Sequence, residues 1–156
     1  MGEPSVGLGF DVHGWAIDRE LWLGGIRFED EPSLAGHSDG DVACHAIADA
    51  LLGAAALGDV GEHFPDSDPV TAGLAGGELL ARAARLVADA GREPASVDVT
   101  IVCEHPRIDA RRDEMRARLG RVLGLPIERV SVKATRPEGL GLTGDGIGCF
   151  AVAVLR

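Results

Sequence analysis

Basic residues are scarce: 15 Lys and Arg stand against 25 Asp and Glu, a formal net charge of −10, and aromatics make up 4% of the 156 residues. A protein that grips nucleic acid needs a Lys/Arg stripe, often interleaved with stacking aromatics, to meet the phosphate backbone. No such stripe runs through this chain, which argues against nucleic acid as a partner. Cysteine is sparse as well. Cys44, Cys103 and Cys149 are odd in number, widely separated and in no C-x-x-C pair, so they read as small core residues and exclude a disulfide frame or a thiolate zinc site. Long hydrophobic runs are also missing, since the longest, 43–57, is interrupted by His45 and Asp49. A membrane-spanning helix needs about 20 apolar residues, and residues 1–10 lack the basic-then-apolar pattern of a signal peptide. The expectation is a cytoplasmic protein with no membrane association. Internal repeats and low-complexity tracts are absent.

What is present suffices for one core. Hydrophobic residues make up 46% of the chain, and this length supports one domain, residues 1–156. Val6–Phe10, Leu21–Leu23 and Ile26–Phe28 read as strands, the last two joined through Gly24-Gly25 as a hairpin. Ser38-Asp39-Gly40-Asp41 can cap a helix reaching about Leu57, mostly Ala and Leu and therefore buried on most sides. A second helix is expected over 74–90, with Leu79, Ala83, Leu86, Val87 and Ala90 as its apolar stripe. Alternation marks 96–103 as a strand, 106–123 patterns as an amphipathic surface helix, and 129–134 and 147–155 read as closing strands. The order β-β-α-α-β-α-β predicts an α+β fold, an α/β sandwich in which helices cover one face of a mostly four-stranded sheet, with a small N-terminal hairpin beside it.

Asp11 and His13, two apart in extended backbone, share one face of the first strand. His45 enters a helix that is otherwise Ala, Leu and Ile, four residues after Asp41 and four before Asp49. Burying such polar groups unpartnered costs several kcal/mol each, to order of magnitude. A metal shared by Asp11, His13 and His45 removes that cost, and three protein ligands leave a fourth tetrahedral position for substrate, the pattern of a catalytic zinc site. An Asp41 or Asp49 contact to His45 is the structural alternative. Residues 59–61 and 64–69 form a polar loop that is either a set of turns or a substrate-gripping segment. Lys133 and Arg136 are candidates for phosphate contacts, and Glu138 for an oxygen ligand to a harder cation such as Mg2+; an ordinary charged turn is the alternative. If the substrate is a phosphate ester, bound metal ions are the economical way for so acidic a chain to offset its charge.

Taken in order, Gly9-Phe10-Asp11-Val12-His13, His37-Ser38-Asp39-Gly40-Asp41 with His45, Asp59-Val60-Gly61, Phe64-Pro65-Asp66-Ser67-Asp68-Pro69, Val97-Asp98-Val99-Thr100-Ile101 and Lys133-Ala134-Thr135 resemble the 2-C-methyl-D-erythritol 2,4-cyclodiphosphate synthases. The resemblance covers essentially the whole chain. It implies a homotrimer with active sites between subunits, and attack of a 2-phosphate on the β-phosphorus of a cytidine diphosphate ester to close an eight-membered ring with release of CMP. It makes Asp11, His13 and His45 zinc ligands, Glu138 the ligand of Mg2+ or Mn2+, and His37 a residue that stabilises the transition state. Ser38, Asp59, Gly61, Phe64, Pro65, Asp66, Ser67 and Asp68 would contact the methylerythritol part. Cys103, Glu104, His105, Pro106, Arg107, Ile108 and Asp109, with Lys133, Thr135, Arg136, Pro137, Glu138 and Leu142, would form the cytidine and phosphate pocket. The ligand is then a CDP-linked polyol phosphate, and the cytidylyltransferase of the non-mevalonate isoprenoid pathway is a candidate partner.

Two linked segments depart from the family pattern. Arg136 replaces the threonine that pairs with His37, and the usual Gly-Arg-Gly-Glu-Gly is shortened to Gly144-Asp145-Gly146 without its arginine. Arg136 is therefore expected to supply the missing guanidinium to the nucleotide phosphates. The competing readings are a divergent relative acting on another CDP-polyol phosphate, a non-catalytic trimeric binding protein, and a zinc hydrolase with Asp39, Asp41 or Asp49 as general base.

Overall fold

The computed structural model describes residues 2–141 and 145–156; Leu142, expected in the nucleotide pocket, and Gly144 of the shortened segment lie outside them. In chain order the elements are β1 (Ser5–Ala16), β2 (Leu21–Leu23), β3 (Ile26–Phe28), β4 (Ser33–Leu34), α1 (Val42–Ala54), α2 (Val60–His63), α3 (Gly76–Asp89), β5 (Pro94–Val102), α4 (Arg112–Leu123), β6 (Val130–Thr135) and β7 (Gly146–Leu155). β1, β7, β5 and β6 are the expected four-stranded core of the sheet, with β6 parallel to β5 and the other pairings antiparallel. β4 adds a fifth strand beside the end of β1, too short at two residues for any periodicity to reveal. The hairpin β2–β3 stands apart as its own two-stranded sheet.

β1 runs six residues beyond the expected Val6–Phe10, to Ala16, so that Asp11 and His13 both lie within it. Its two faces are used in reverse of their hydrophobicity. Gly7 and Gly9 are buried, while Val6, Leu8, Phe10 and Val12 are exposed on the opposite face. The helix α1 is the reason: a Cβ on Gly7 would stand 2.0 Å from the Ala50 carbonyl oxygen, and one on Gly9 1.9 Å from that of Ala46. Only glycine lets the helix axis come so close to the strand. α1 is apolar nearly all round and buried, as its composition predicts.

Its N-terminus is fixed by Asp41, which is fully buried. The carboxylate accepts from the Cys44 N–H at 3.0 Å and from the Gly24 and Gly25 N–H groups at 2.9 and 2.7 Å. One side chain therefore caps the helix and ties the turn of the β2–β3 hairpin to it. α3 packs on α1, and α4 on β6; α3 buries Leu79, Leu80, Ala83 and Val87, whereas Ala90 of the expected stripe is exposed. The helix expected from residue 106 begins only at Arg112, because Ile108 turns into the core at 2% exposure and Asp109–Arg111 form a 3-10 turn. The segment read as a polar loop after α1 contains the single helical turn α2, capped by Asp59 accepting from the Glu62 N–H at 2.9 Å.

Candidate metal centre and flanking cavities

The close seating of α1 on β1 builds the site. One step along β1 from Gly9 the face carries Asp11, and one residue before Ala46 α1 carries His45, so the two side chains meet; His13 follows two residues later on the same face. Asp11 Oδ2 lies 2.9 Å from His13 Nε2 and 3.1 Å from His45 Nδ1. One donor atom from each of the three lies within 4.8 Å of the others. Zinc bonds of about 2.0–2.2 Å to N and O donors put neighbouring tetrahedral ligands about 3.3 Å apart, so this donor set fits a divalent cation.

The remaining ring nitrogens are held. His13 Nδ1 donates to the Ala35 carbonyl at 2.5 Å, and His45 Nε2 lies 2.9 Å from Ser38 Oγ. Each contact directs the opposite nitrogen at Asp11, the outer-shell arrangement that orients histidine ligands. Burial pushes the Asp11 carboxyl up, but hydrogen bonds and charge from His13 and His45 outweigh it and hold the group below the ordinary aspartate range. The hydrogen bond that His13 donates to Asp11 in turn holds His13 above the ordinary imidazole range against its own burial. The alternative partners for His45 do not reach it. Asp41 is spent on the helix cap, and Asp49 accepts from the Val60 N–H at 3.1 Å. Asp39 accepts from Asp41 and Gly76 N–H groups at 3.0 and 2.8 Å, and burial, then the Asp41 charge, raises its pKa. All three carboxylates put forward as a hydrolase's general base thus accept backbone N–H groups, while Asp49 also lines a cleft shared with Asp11 and His45.

A cavity of about 360 Å3 opens beside the triad and is lined by His37, Ser38, Gly61, Phe64, Pro65 and Asp66 with the triad itself. Asp59 faces an adjoining cleft shared with Asp11 and His45. His37 Nε2 lies 3.2 Å from the Asp68 carbonyl, while Ser67 is exposed on the same loop. Arg19, which no sequence pattern singles out, donates to the carbonyls of Ser38 and Gly36, the latter at 2.8 Å, and so pins the loop that carries His37.

The residues expected around a nucleotide gather elsewhere. A second cavity of about 320 Å3 is lined by Cys103, Glu104, Pro106, Arg107, Ile108 and Asp109 on one side and Thr135 and Arg136 on the other, with Arg112 added from the start of α4. Burial, followed by Glu104 and Glu31, pushes the Cys103 thiol up to about 11, leaving it a neutral wall residue near pH 7. His105 stacks on Trp15 with ring centroids 4.5 Å apart and bonds Glu31 at 2.9 Å. Lys133 lies on the sheet's open face, paired with Asp98 at 2.7 Å. Glu138, beyond the half-buried Pro137, is exposed with φ 53°, a left-handed conformation uncommon for a residue with a side chain. Within one chain the structure thus brings together Asp11, His13, His37, Ser38 and His45, and separately Cys103, Glu104, Pro106, Arg107, Ile108 and Asp109 with Thr135 and Arg136; His105, Lys133, Pro137 and Glu138 do not line that second cavity, and the two groups do not meet.

Fold and site together define an α+β protein with a three-residue site suited to a divalent cation. The profile of the YgbB family matches residues 5–156. A 2-C-methyl-D-erythritol 2,4-cyclodiphosphate synthase of Symbiobacterium thermophilum is 47% identical over 152 residues, 96% of this chain and 97% of that protein. A bifunctional IspD/IspF enzyme of Erythrobacter litoralis is 53% identical over 148 residues, which are 95% of this chain and 38% of the relative; the chain thus spans well under half of that longer protein. A solved 2C-methyl-D-erythritol-2,4-cyclodiphosphate synthase in a CDP-bound form superimposes with a TM-score of 0.89 at 33% identity, covering 97% of this chain and 99% of the other. The chain belongs to the YgbB family, that of the 2-C-methyl-D-erythritol 2,4-cyclodiphosphate synthases.

Proposed function

We propose that the protein converts 4-diphosphocytidyl-2-C-methyl-D-erythritol 2-phosphate to 2-C-methyl-D-erythritol 2,4-cyclodiphosphate with release of CMP. The observation that carries this reading is the Asp11–His13–His45 cluster, preformed within 4.8 Å beside a cavity large enough for a polyol phosphate, in a member of this family. Nucleophile and electrophile are already in one molecule, so the protein's task is to fold the substrate back on itself, an orientation effect worth as much as about 7–11 kcal/mol in favourable cases. Zn2+ on the triad and Mg2+ or Mn2+ on Glu138 would polarise the phosphates and offset their charge. His37, held over the cavity by the Asp68 carbonyl, would stabilise the transition state. Ser38, Asp59, Gly61 and Phe64 to Asp68 would hold the methylerythritol part, and Cys103 to Asp109 with Lys133, Thr135, Arg136, Pro137 and Glu138 the cytidine and phosphates.

A homotrimer belongs to the same reading. The apolar open face of the sheet, with Val6 and Leu8 at 66% and 67% exposure and Phe10 against Phe150 at 4.7 Å, is suited to burial between copies. Association of copies would bring the metal cavity of one chain to the nucleotide cavity of the next. The bifunctional relatives support a cytidylyltransferase as partner, and three buried, unpaired thiols fit a reducing cytoplasm.

The test is incubation with the cytidylylated substrate, Zn2+ and Mg2+, followed by phosphorus NMR. Cyclic diphosphate and CMP in equal amounts are expected. A linear phosphate product would mean hydrolysis, and turnover only with another CDP-polyol phosphate would move the substrate assignment to a divergent relative.

A further inference from the structure

Of the residues from Cys103 to Asp109, His105 is the one that does not line the second cavity. Its ring lies instead on the indole of Trp15, with centroids 4.5 Å apart and planes 1° from parallel, and its Nδ1 donates to Glu31 at 2.9 Å. A face contact leaves an imidazole free to turn in its own plane, and the bond to Glu31 at its edge stops that turn. The ends of the segment are anchored separately, Cys103 by its N–H on the Thr135 carbonyl at 3.1 Å and Ile108 by burial at 2% exposure. Between them Pro106 is buried, Glu104 and Arg107 are exposed, and Arg107 pairs within the segment, with Asp109. The clamp on His105 is thus the side-chain hydrogen bond that joins this tip to a distant part of the fold. Trp15 is a firm platform for it. The indole is half-buried against the core, its backbone N–H donates to the Asp145 carbonyl at 2.8 Å, and the residue pairs with Leu34 of β4.

We propose that Trp15 is a positioning residue for nucleotide binding: by holding His105 it keeps the wall from Glu104 to Arg107 in its binding shape before the ligand arrives. This rests on the reading above that residues 103–109 hold the cytidine nucleotide. A wall ordered in advance need not be ordered on binding, and the entropy saved appears as affinity. Trp15 touches no ligand in this role; it acts through His105. Asp11, His13 and Trp15 alternate along one face of β1, so zinc content shows whether a change at Trp15 has reached the metal ligands instead.

Calorimetric titration of the intact protein with CDP, steady-state kinetics, zinc analysis and proton NMR test it, using Trp15→Leu, Trp15→Phe, His105→Ala and the Trp15→Leu/His105→Ala double variant. Trp15→Leu and His105→Ala should each weaken CDP by about three- to tenfold and raise KM by a like factor, with kcat within about twofold. Trp15→Phe, which keeps a stacking face, should recover most of the loss. Because the two rings act through one contact, the double variant should lose no more than the worse single one. Zinc should stay at the parent's level throughout. The His105 Hε1 signal should move downfield in Trp15→Leu as the ring current of the indole is lost. An unmoved signal, CDP affinity within about twofold of the parent in both single variants, or additive losses in the double would overturn the proposal. So would zinc lost along with CDP in Trp15→Leu but not in His105→Ala, which would make Trp15 a support of the metal strand. A parent protein that binds no CDP, with the signal still moving in Trp15→Leu, would reject the nucleotide reading and the positioning role with it.

Discussion

Replacing Asp11 by Asn removes the charge shared by two imidazoles while keeping the side chain's size. Asp11 Oδ2 contacts His13 at 2.9 Å and His45 at 3.1 Å and is 27% exposed, so the pairs are better shielded than surface ion pairs. Hydrogen bonds to charged groups contribute about 1.5–3 kcal/mol each. Losing about that much in total should lower the melting temperature of the metal-free protein by roughly 3–12 °C at the 2–4 °C per kcal/mol typical of this size. The effect depends on pH in a defined direction. His13 is raised in the fold, so its contribution is complete below the ordinary imidazole pKa of about 6.5 and fades as pH rises through the higher folded value. Asp11 is lowered, so its contribution is present above about 3.9 and is lost as pH falls through the lower folded value. The metal-free parent should therefore be stabilised by this pair most strongly between about pH 4 and 6.5, and Asp11→Asn should flatten that maximum. Zinc reverses the trend on the alkaline side, because a ligand imidazole must give up its proton and binding strengthens as pH rises. Melting curves from pH 4 to 8 with and without a chelator, plus metal analysis, make the measurement. The parent should carry about one zinc per chain and Asp11→Asn little. Parallel pH curves for the two metal-free proteins, or equal zinc content, would refute the reasoning.

Three other perturbations probe separate parts of the structure. Asp41→Ala leaves three backbone N–H groups without their acceptor and should cost about 3 kcal/mol or more; chemical denaturation showing a loss near zero would mean the hairpin and α1 are not joined through this carboxylate. Leu8→Glu puts a charge in the middle of the open sheet face and should yield monomers by light scattering with little cyclase activity; a fully active variant of unchanged size would remove the face from the interface. Arg136→Thr introduces the family's usual residue yet should lower cyclase efficiency by about ten- to a hundredfold if the guanidinium grips a phosphate, and equal or higher activity would make Arg136 a bystander.

The parts of this protein that could be read from its sequence are those in which a local pattern and a chemical need coincide. Asp11 and His13 are two apart in a strand, and His45 is conspicuous in an apolar helix, so alternation and the cost of burial point to the same cluster. Ser38 and Asp41 announce a helix cap, but that one carboxylate also closes the hairpin turn is a tertiary fact, since Gly24 and Asp41 are 17 residues apart. Arg19 and Arg112 give no signal at all, because an arginine in a charged segment looks the same whether it is solvated or aimed at a loop or cavity. The Ala35 carbonyl that orients His13 has no side chain to notice. The deepest difference lies in β1. Val6, Leu8 and Phe10 carry the hydrophobicity, so pattern alone would bury them, yet two glycines win the inner face because α1 can approach only there. That same approach sets His45 over Asp11, and it leaves the apolar residues pointing outward. The metal site and the unpaired apolar face are therefore two results of one packing decision, and a mutation that pushed α1 off Gly9 would loosen the ligands and disturb the surface suited to another subunit together.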